Sequence, residues 1–387
     1  MADRYWVANG ATARTWNDAA YWSTTSGGAG GSAVPTSADD VYFDANGYAD
    51  CTGYALFSYC ASIDFTGYTG AFSGTLNLLI TSGGAVTLAS GGPFTATGVF
   101  CMAVGEEETV TFTSNGVTHA MNLIVNNIDE GGTFNFADAY VSTGTITISQ
   151  GNNAEYSDFA TGGYNITAKS LKLEDGGVYQ TLTATLGSST ITLTGSGVTV
   201  LDLSGKGGTI ALSASSADFK LTHAFTGTTF EAGGNTFNDI WLTGGGASWC
   251  YVTGGGTCDN FKVDTPPSET RFEPSKTFTV TTWTGEGTSG NLVKIISNTT
   301  TNATLAKAGG GTISLTYMSV DYITGSPADT WYMDANSTDG GHNSQIYFAG
   351  GATSIKTVFG TPIAEIKTIM GVPIADVKSF LGVSNVS

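Results

Sequence analysis

Apolar and hydroxyl-bearing residues alternate along most of this chain. Gly144-Thr145-Ile146-Thr147-Ile148-Ser149 and Thr190-Ile191-Thr192-Leu193-Thr194 keep a strict period of two, with one face apolar and the other hydroxylated. Leu76-Asn77-Leu78-Leu79-Ile80, Ala85-Val86-Thr87-Leu88, Thr109-Val110-Thr111-Phe112-Thr113 and Asn122-Leu123-Ile124-Val125 are further short runs, cut apart by Gly83-Gly84, Gly91-Gly92 and Asn115-Gly116. From Ile63 to Phe348 no stretch sustains a helical period, which excludes strands joined by helical crossovers. A sandwich, a barrel and a β-helix remain.

A repeated phrase separates these three. A small residue, usually glycine, precedes a threonine and an apolar alternation at Gly131-Gly132-Thr133-Phe134, Ser188-Ser189-Thr190-Ile191, Gly207-Gly208-Thr209-Ile210, Gly234-Asn235-Thr236-Phe237, Gly255-Gly256-Thr257-Cys258 and Gly310-Gly311-Thr312-Ile313. The threonines are 57, 19, 27, 21 and 55 residues apart, near multiples of roughly 20, a period typical of solenoids whose coils bury their apolar faces only on one another. Thr236-Phe237-Asn238 aligns with Thr257-Cys258-Asp259 at an offset of 21 residues, and Phe278 extends the same column. Stacking then places Phe237, Cys258 and Phe278 above one another, with Asn238 on Asp259 at a turn. The expected fold is all-β: a parallel β-helix over 51–350, an N-terminal aromatic cap or docking segment over 1–50, and a short C-terminal β-repeat tail over 351–387.

Both ends depart from the shaft. Trp6, Trp16 and Trp22 crowd the first segment, beside Tyr5 and Tyr21, before the loose Ser26-Gly27-Gly28-Ala29-Gly30-Gly31-Ser32. An open first coil would pair with other chains, so an aromatic lid is one expectation and a partner-docking surface the other. After Gly350-Gly351 an eleven-residue unit recurs, from Ile355-Lys356-Thr357-Val358-Phe359-Gly360 through Ile366-Lys367-Thr368-Ile369-Met370-Gly371 to Val377-Lys378-Ser379-Phe380-Leu381-Gly382. Its glycines and prolines rule out a coiled coil and favour short strands joined by turns. Ile355, Val358, Ile363, Ile366, Ile369 and Ile374 are its candidate partner-binding residues, either folded back as a cap or added as a strand to a neighbour.

Composition agrees with stacked coils. Glycine supplies 54 of 387 residues and charged residues only 12%, because like charges stacked at strand spacing would repel. The 20 Phe and 16 Tyr are too many for a disordered chain. A formal charge of −18 disfavours nucleic acid and anionic membranes and serves solubility. The first residues carry no apolar signal core, no run is long enough to span a bilayer, and the 5 cysteines are an odd number. Folding in a reducing cytosol, with no membrane insertion, is expected.

Few residues suggest chemistry. His119, His223 and His342 lack the spacing of a zinc site and read as loop residues, and phosphate-loop and nucleophile-elbow motifs are absent. Glu106-Glu107-Glu108, Asp129-Glu130 and Glu174-Asp175 are flanked by glycine and read as solvated turns rather than a glycosidase pair. Asp334, Asn336 and Asp339 could offer oxygens to a hard cation, on the strength of one loop only. Cys250 and Cys258 read as small inward residues. Trp241, Trp249 and Tyr251 are candidate sugar-stacking aromatics. No catalytic residue, cofactor or metal is assigned.

The ends also carry a resemblance. Arg4-Tyr5-Trp6-Val7, Trp22-Ser23-Thr24-Thr25-Ser26-Gly27-Gly28 and Val34-Pro35-Thr36-Ser37-Ala38-Asp39-Asp40-Val41-Tyr42-Phe43 look like the start of a family of phage structural proteins. Trp331-Tyr332 to Gly340-Gly341 resembles that family's last coil, and the tail resembles short repeats that end phage fibre-like proteins. Where that family shows Trp-Tyr-Ala-Gly-Ala-Asn, this chain has Trp331-Tyr332-Met333-Asp334-Ala335-Asn336, which adds an acid and removes a glycine. The resemblance implies a non-enzymatic virion protein assembled in the host cytoplasm, a fibre or spike contacting other virion proteins and a host-surface glycan. A capsid decoration protein and a capsular polysaccharide depolymerase are the alternatives. Monomer and homotrimer both remain open on sequence.

Overall fold

The computed structural model is a parallel β-solenoid of about 12 turns. It describes residues 2–349 except 55, 82, 90–91, 152–153, 223–226, 245–248 and 267, and in the tail the backbone of 357–358, 361–362, 368–369, 372–373, 379–380 and 383–384. Three long sheets form its walls. The first, of 10 strands, runs from the N-terminus to Thr209–Ser213. The second, of 15, accompanies almost the whole length to Thr338–Asp339. The third, of 10, begins at Thr118–His119 and ends at Ile323–Ser326. Coils have three sides where the first and third sheets overlap, and again at the C-terminal end, where a small sheet of 3 strands beginning at Ile313–Leu315 joins the second and third.

The alternation read in the sequence is what the walls use. Along Thr145–Gln150 the threonines are half-buried while Ile146 and Ile148 are buried. In the second sheet Leu78, Phe100, Leu123, Ile146, Leu171, Leu201, Phe230, Val252 and Phe272 lie in successive register, all buried. In the third sheet Tyr140, Ile166, Ile191, Phe219, Ile240, Phe261 and Trp283 do the same. Each inward residue thus loses water only because the coils on either side are present, and one continuous core extends from Trp6 to Phe348.

Coil length is not constant. The step is 20 residues from Trp249 to Glu269, 21 from Phe237 to Cys258 and 30 from Leu171 to Leu201. The threonine phrase marks entry into a strand, but of different walls: Thr133 and Thr209 open strands of the first sheet, whereas Thr190 and Thr236 open strands of the third. Phe237 stacks on Cys258 as expected, but the residue above Cys258 is Val280, and Phe278 lies opposite Gly256. The step there lengthens to 22 residues, so the expected column slips by two and the inward parity survives.

Parallel coiling begins with the first strand. Ala2–Trp6 pairs in parallel with Asp39–Tyr42, which pairs in parallel with Ser62–Asp64. Trp22–Ser23 folds antiparallel onto Ala2–Trp6 and covers the outer edge of the first sheet. At Gly98 a strand passes Leu76 so closely that a Cβ would lie 2.1 Å from the Leu76 carbonyl oxygen, with φ at +113°. Gly98→Ala is expected to cost about 1–3 kcal/mol, since both the contact and the backbone conformation exclude a side chain. Chemical denaturation checks it, and an unchanged midpoint would refute the tight passage.

Candidate functional site

The three N-terminal tryptophans do not form a docking surface. Trp6, Trp16 and Trp22 are at most 1% exposed and converge on Phe43, with ring centroids 5.6, 5.8 and 5.7 Å from it. Trp6 Nε1 donates to the Ala49 carbonyl and Trp22 Nε1 to that of Trp16. They plug the core at the outer end of the first described coil, in the position of a lid on a solenoid end. Sequence alone left lid and docking surface open, because a tryptophan suits both.

The candidate sugar-stacking aromatics divide between two walls. Trp241 lies on the third sheet, and Trp249 and Tyr251 on the second. All three point outward and are half-buried. Trp241 occupies a ladder between Lys220 and Lys262, whose Nζ atoms stand 4.3 and 3.7 Å from its ring centroid, while its Nε1 donates to Asp264 at 2.6 Å. Its ring is engaged by cations of neighbouring coils, so Trp241 stabilises the wall and is withdrawn as a glycan platform. The Arg271 guanidinium covers Trp249 at 4.5 Å, and Trp249 meets Tyr251 edge-on at 6.4 Å.

A more exposed apolar surface sits near the N-terminal end of the second sheet. Leu56 and Phe57 are each 64% exposed and Tyr59 is 43% exposed. Phe57–Cys60 pairs with Phe72–Ile80 and, among the described residues, has no strand on its other side. Tyr59 is followed in outward register by Leu79, Cys101 and Ile124, and a groove of about 430 Å³ lies against Tyr59, Leu79, Cys101 and Asn126. Alternation would have placed polar residues in this outward column, so an unbroken series of apolar ones is the signal sequence reading passed over.

Titratable groups are mostly absorbed by their own turns. Glu108 accepts from the Gly105 amide, Glu174 from the Ser149 hydroxyl, and Glu174 also pairs with Lys172 at 2.8 Å. Asp175 is 1% exposed rather than solvated, because its carboxylate holds the amides of Lys206 and Gly208. Asp334 binds Thr316, Asn336 and Ser337, and Asp339 binds Gly341 and Asn343. These carboxylates tie their loop instead of converging on a cation. Among the described residues no group of three or more His, Cys, Asp or Glu is placed to hold a metal, and no helix is long and apolar enough to cross a membrane.

His119 is the residue whose expected role changes most. It points into the core, 3% exposed, within 5.1–6.2 Å of the rings of Tyr140, Phe100, Phe94 and Phe112. Burial holds its pKa down at about 4. His342 is a surface residue, stacked on Tyr322 at 4.1 Å and paired with Asp321, and His223 lies outside the described residues. Cys250 and Cys258 are buried as expected, and all five cysteines are unpaired.

In the tail, Thr357–Val358 pairs antiparallel with Thr361–Pro362, Thr368–Ile369 with Val372–Pro373, and Ser379–Phe380 with Val383–Ser384. Each eleven-residue unit is one minimal hairpin, as its glycines and prolines imply. Val358 and Ile369 lie in these strands; Ile355, Ile363, Ile366 and Ile374 lie outside the described residues.

No relative was found. A scan against protein-family models, a search of curated proteins and a search of solved structures each returned no match.

Proposed function

We propose that this protein is a non-enzymatic structural component of a bacteriophage virion, fibre- or spike-like, that displays a rigid β-solenoid for contact with a host-surface glycan. The observation that carries the reading is the pairing of an unbroken core from Trp6 to Phe348 with an uncovered apolar face at one end, Leu56, Phe57 and Tyr59. The core makes the molecule a spacer whose side chains keep fixed positions. The apolar face, next to a strand edge with no neighbour, suits an anchor to other virion proteins. Tyr251 remains the glycan candidate on the shaft, and the wording of both ends, which resembles phage proteins, supplies the virion context.

Purified particles test this directly. The protein is expected in stoichiometric amount by mass spectrometry, and Phe57→Asp with Tyr59→Asp should lower its incorporation at least tenfold while the isolated protein keeps its melting temperature. Absence from particles would overturn the virion role, and normal incorporation of the double variant would overturn the anchor. A capsid decoration protein would use the same face against shell subunits, and antibody labelling of the head rather than the tail would select that reading.

A further inference from the structure

A second uncovered edge lies in the middle of the shaft, and it is a built ledge. The first sheet stops at Thr209–Ser213, which among the described residues pairs with Thr181–Thr185 below it, while Ala214 just beyond bridges to Phe237 of the coil above. The Thr209 amide donates to the Gln180 carbonyl, and the Ser213 carbonyl accepts from the Leu186 amide. Backbone groups of alternate strand residues point to opposite sides, so those of Ile210 and Leu212 face away from the ladder toward the space a next strand would fill. Among the described residues no strand fills it. The chain passes from Thr228–Glu231 of the second sheet to Thr236–Leu242 of the third through a short turn at Gly233-Gly234.

The side chains report the same vacancy. Ile210 and Leu212 stand in register with the buried Leu182 and Ala184, so they point inward, yet both are only half-buried. A cleft of about 360 Å³ opens beside them, lined by Leu203, Ile210, Asn235 and the carboxylates Asp175 and Glu231. Lys206 is the cation on the same loop, and its charge acts on Glu174. The ledge therefore offers unpaired main-chain donors and acceptors, two inward apolar side chains and excess negative charge. Those are the requirements for adding one extended strand with apolar and basic residues.

We propose that the ledge is the docking site of the chain's own C-terminal repeats, and that one of their hairpins continues the first sheet over Thr209–Ser213. The tail has the matching charge: Lys356, Lys367 and Lys378 outnumber Glu365 and Asp376 in a chain of net charge −18. Its hairpins have arms of 2 residues, too short to stand alone in water, and a sheet edge is what they lack. Reach is sufficient. The ledge lies six coil steps, about 29 Å, from the last strand of the second sheet, whereas twenty extended residues span up to about 65 Å. The C-terminal end of the core makes less demand, since Trp331, Met333 and Phe348 are at most 9% exposed there.

Hydrogen exchange on the full chain tests the proposal. The amides of Ile210 and Leu212 should exchange at least tenfold more slowly in the native protein than in the full-length triple variant Lys356→Glu, Lys367→Glu, Lys378→Glu. Zero-length carbodiimide cross-linking of the native protein should join a tail lysine to Glu231, within one chain when labelled and unlabelled protein are mixed. Free exchange at both amides in the native protein, or protection unchanged in the variant, would overturn the docking. Cross-links only between different chains would overturn its intramolecular form.

Discussion

Phe261→Ala is expected to lower the stability of the shaft by about 3–5 kcal/mol, the range for removing a large buried aromatic side chain. Phe261 sits mid-column in the third sheet, between Ile240 and Trp283 in register. Its ring stacks on Trp283 at 4.6 Å and approaches Phe278 at 5.9 Å and Phe272 at 6.0 Å. Those partners come from its own coil and the one above, so truncation leaves a cavity at an interface between coils. In a solenoid that interface carries the cooperativity. Besides a lower midpoint, the variant should show a shallower denaturation slope as the halves begin to unfold separately. The neighbouring Lys262→Ala removes an outward residue that covers Trp241 and should cost about 1 kcal/mol or less. Urea titrations of both variants decide the matter: equal losses would mean that the parity assigned to this wall is wrong.

That parity was legible from the sequence, because alternation alone separates Ile240 and Leu242, which are buried, from Trp241, which is not. The offset of 21 residues even placed Lys262 on Trp241, although sequence gave no reason to see that the ring would be engaged from both neighbouring coils. What alternation does not encode is which wall a strand belongs to. The same threonine phrase opens strands of two sheets, and the step differs between coils, 20 residues at Trp249 and 30 at Leu171, so a single period blurs. The end of the first sheet at Ser213 was invisible for the same reason: Thr209-Ile210-Ala211-Leu212 reads like any inner strand, and only the short turn above it leaves the strand uncovered. The tryptophans were ambiguous for another reason. Whether an aromatic cluster is a plug or a surface depends on whether a coil lies beyond it, which is a property of the stack.

His119 makes the shaft acid-sensitive, and the sign follows from where it sits. Its pKa is about 4 in the folded chain against an ordinary value of 6.5. Above pH 6.5 both folded and unfolded chains carry it neutral, and it contributes no pH dependence. As pH falls below 6.5 the unfolded chain takes up a proton that the folded chain refuses, so stability declines; below about 4 both are protonated and the decline stops. The loss accumulated over that window is about 3 kcal/mol. No carboxylate offsets it, because the rings around His119 belong to Phe94, Phe100, Phe112 and Tyr140, and Tyr140 stays neutral throughout this range. His119→Leu removes the titration and also the acceptor for the Met121 amide, so the variant should be less stable at pH 7 by about 1–2 kcal/mol. The gap between variant and native protein should then close, and reverse, as pH is lowered to about 4. Urea denaturation at several pH values measures that difference directly, with the carboxylates common to both proteins cancelling. A gap that stays constant from pH 7 to 4 would mean that His119 is protonated in the fold, and that its aromatic surroundings are open to water.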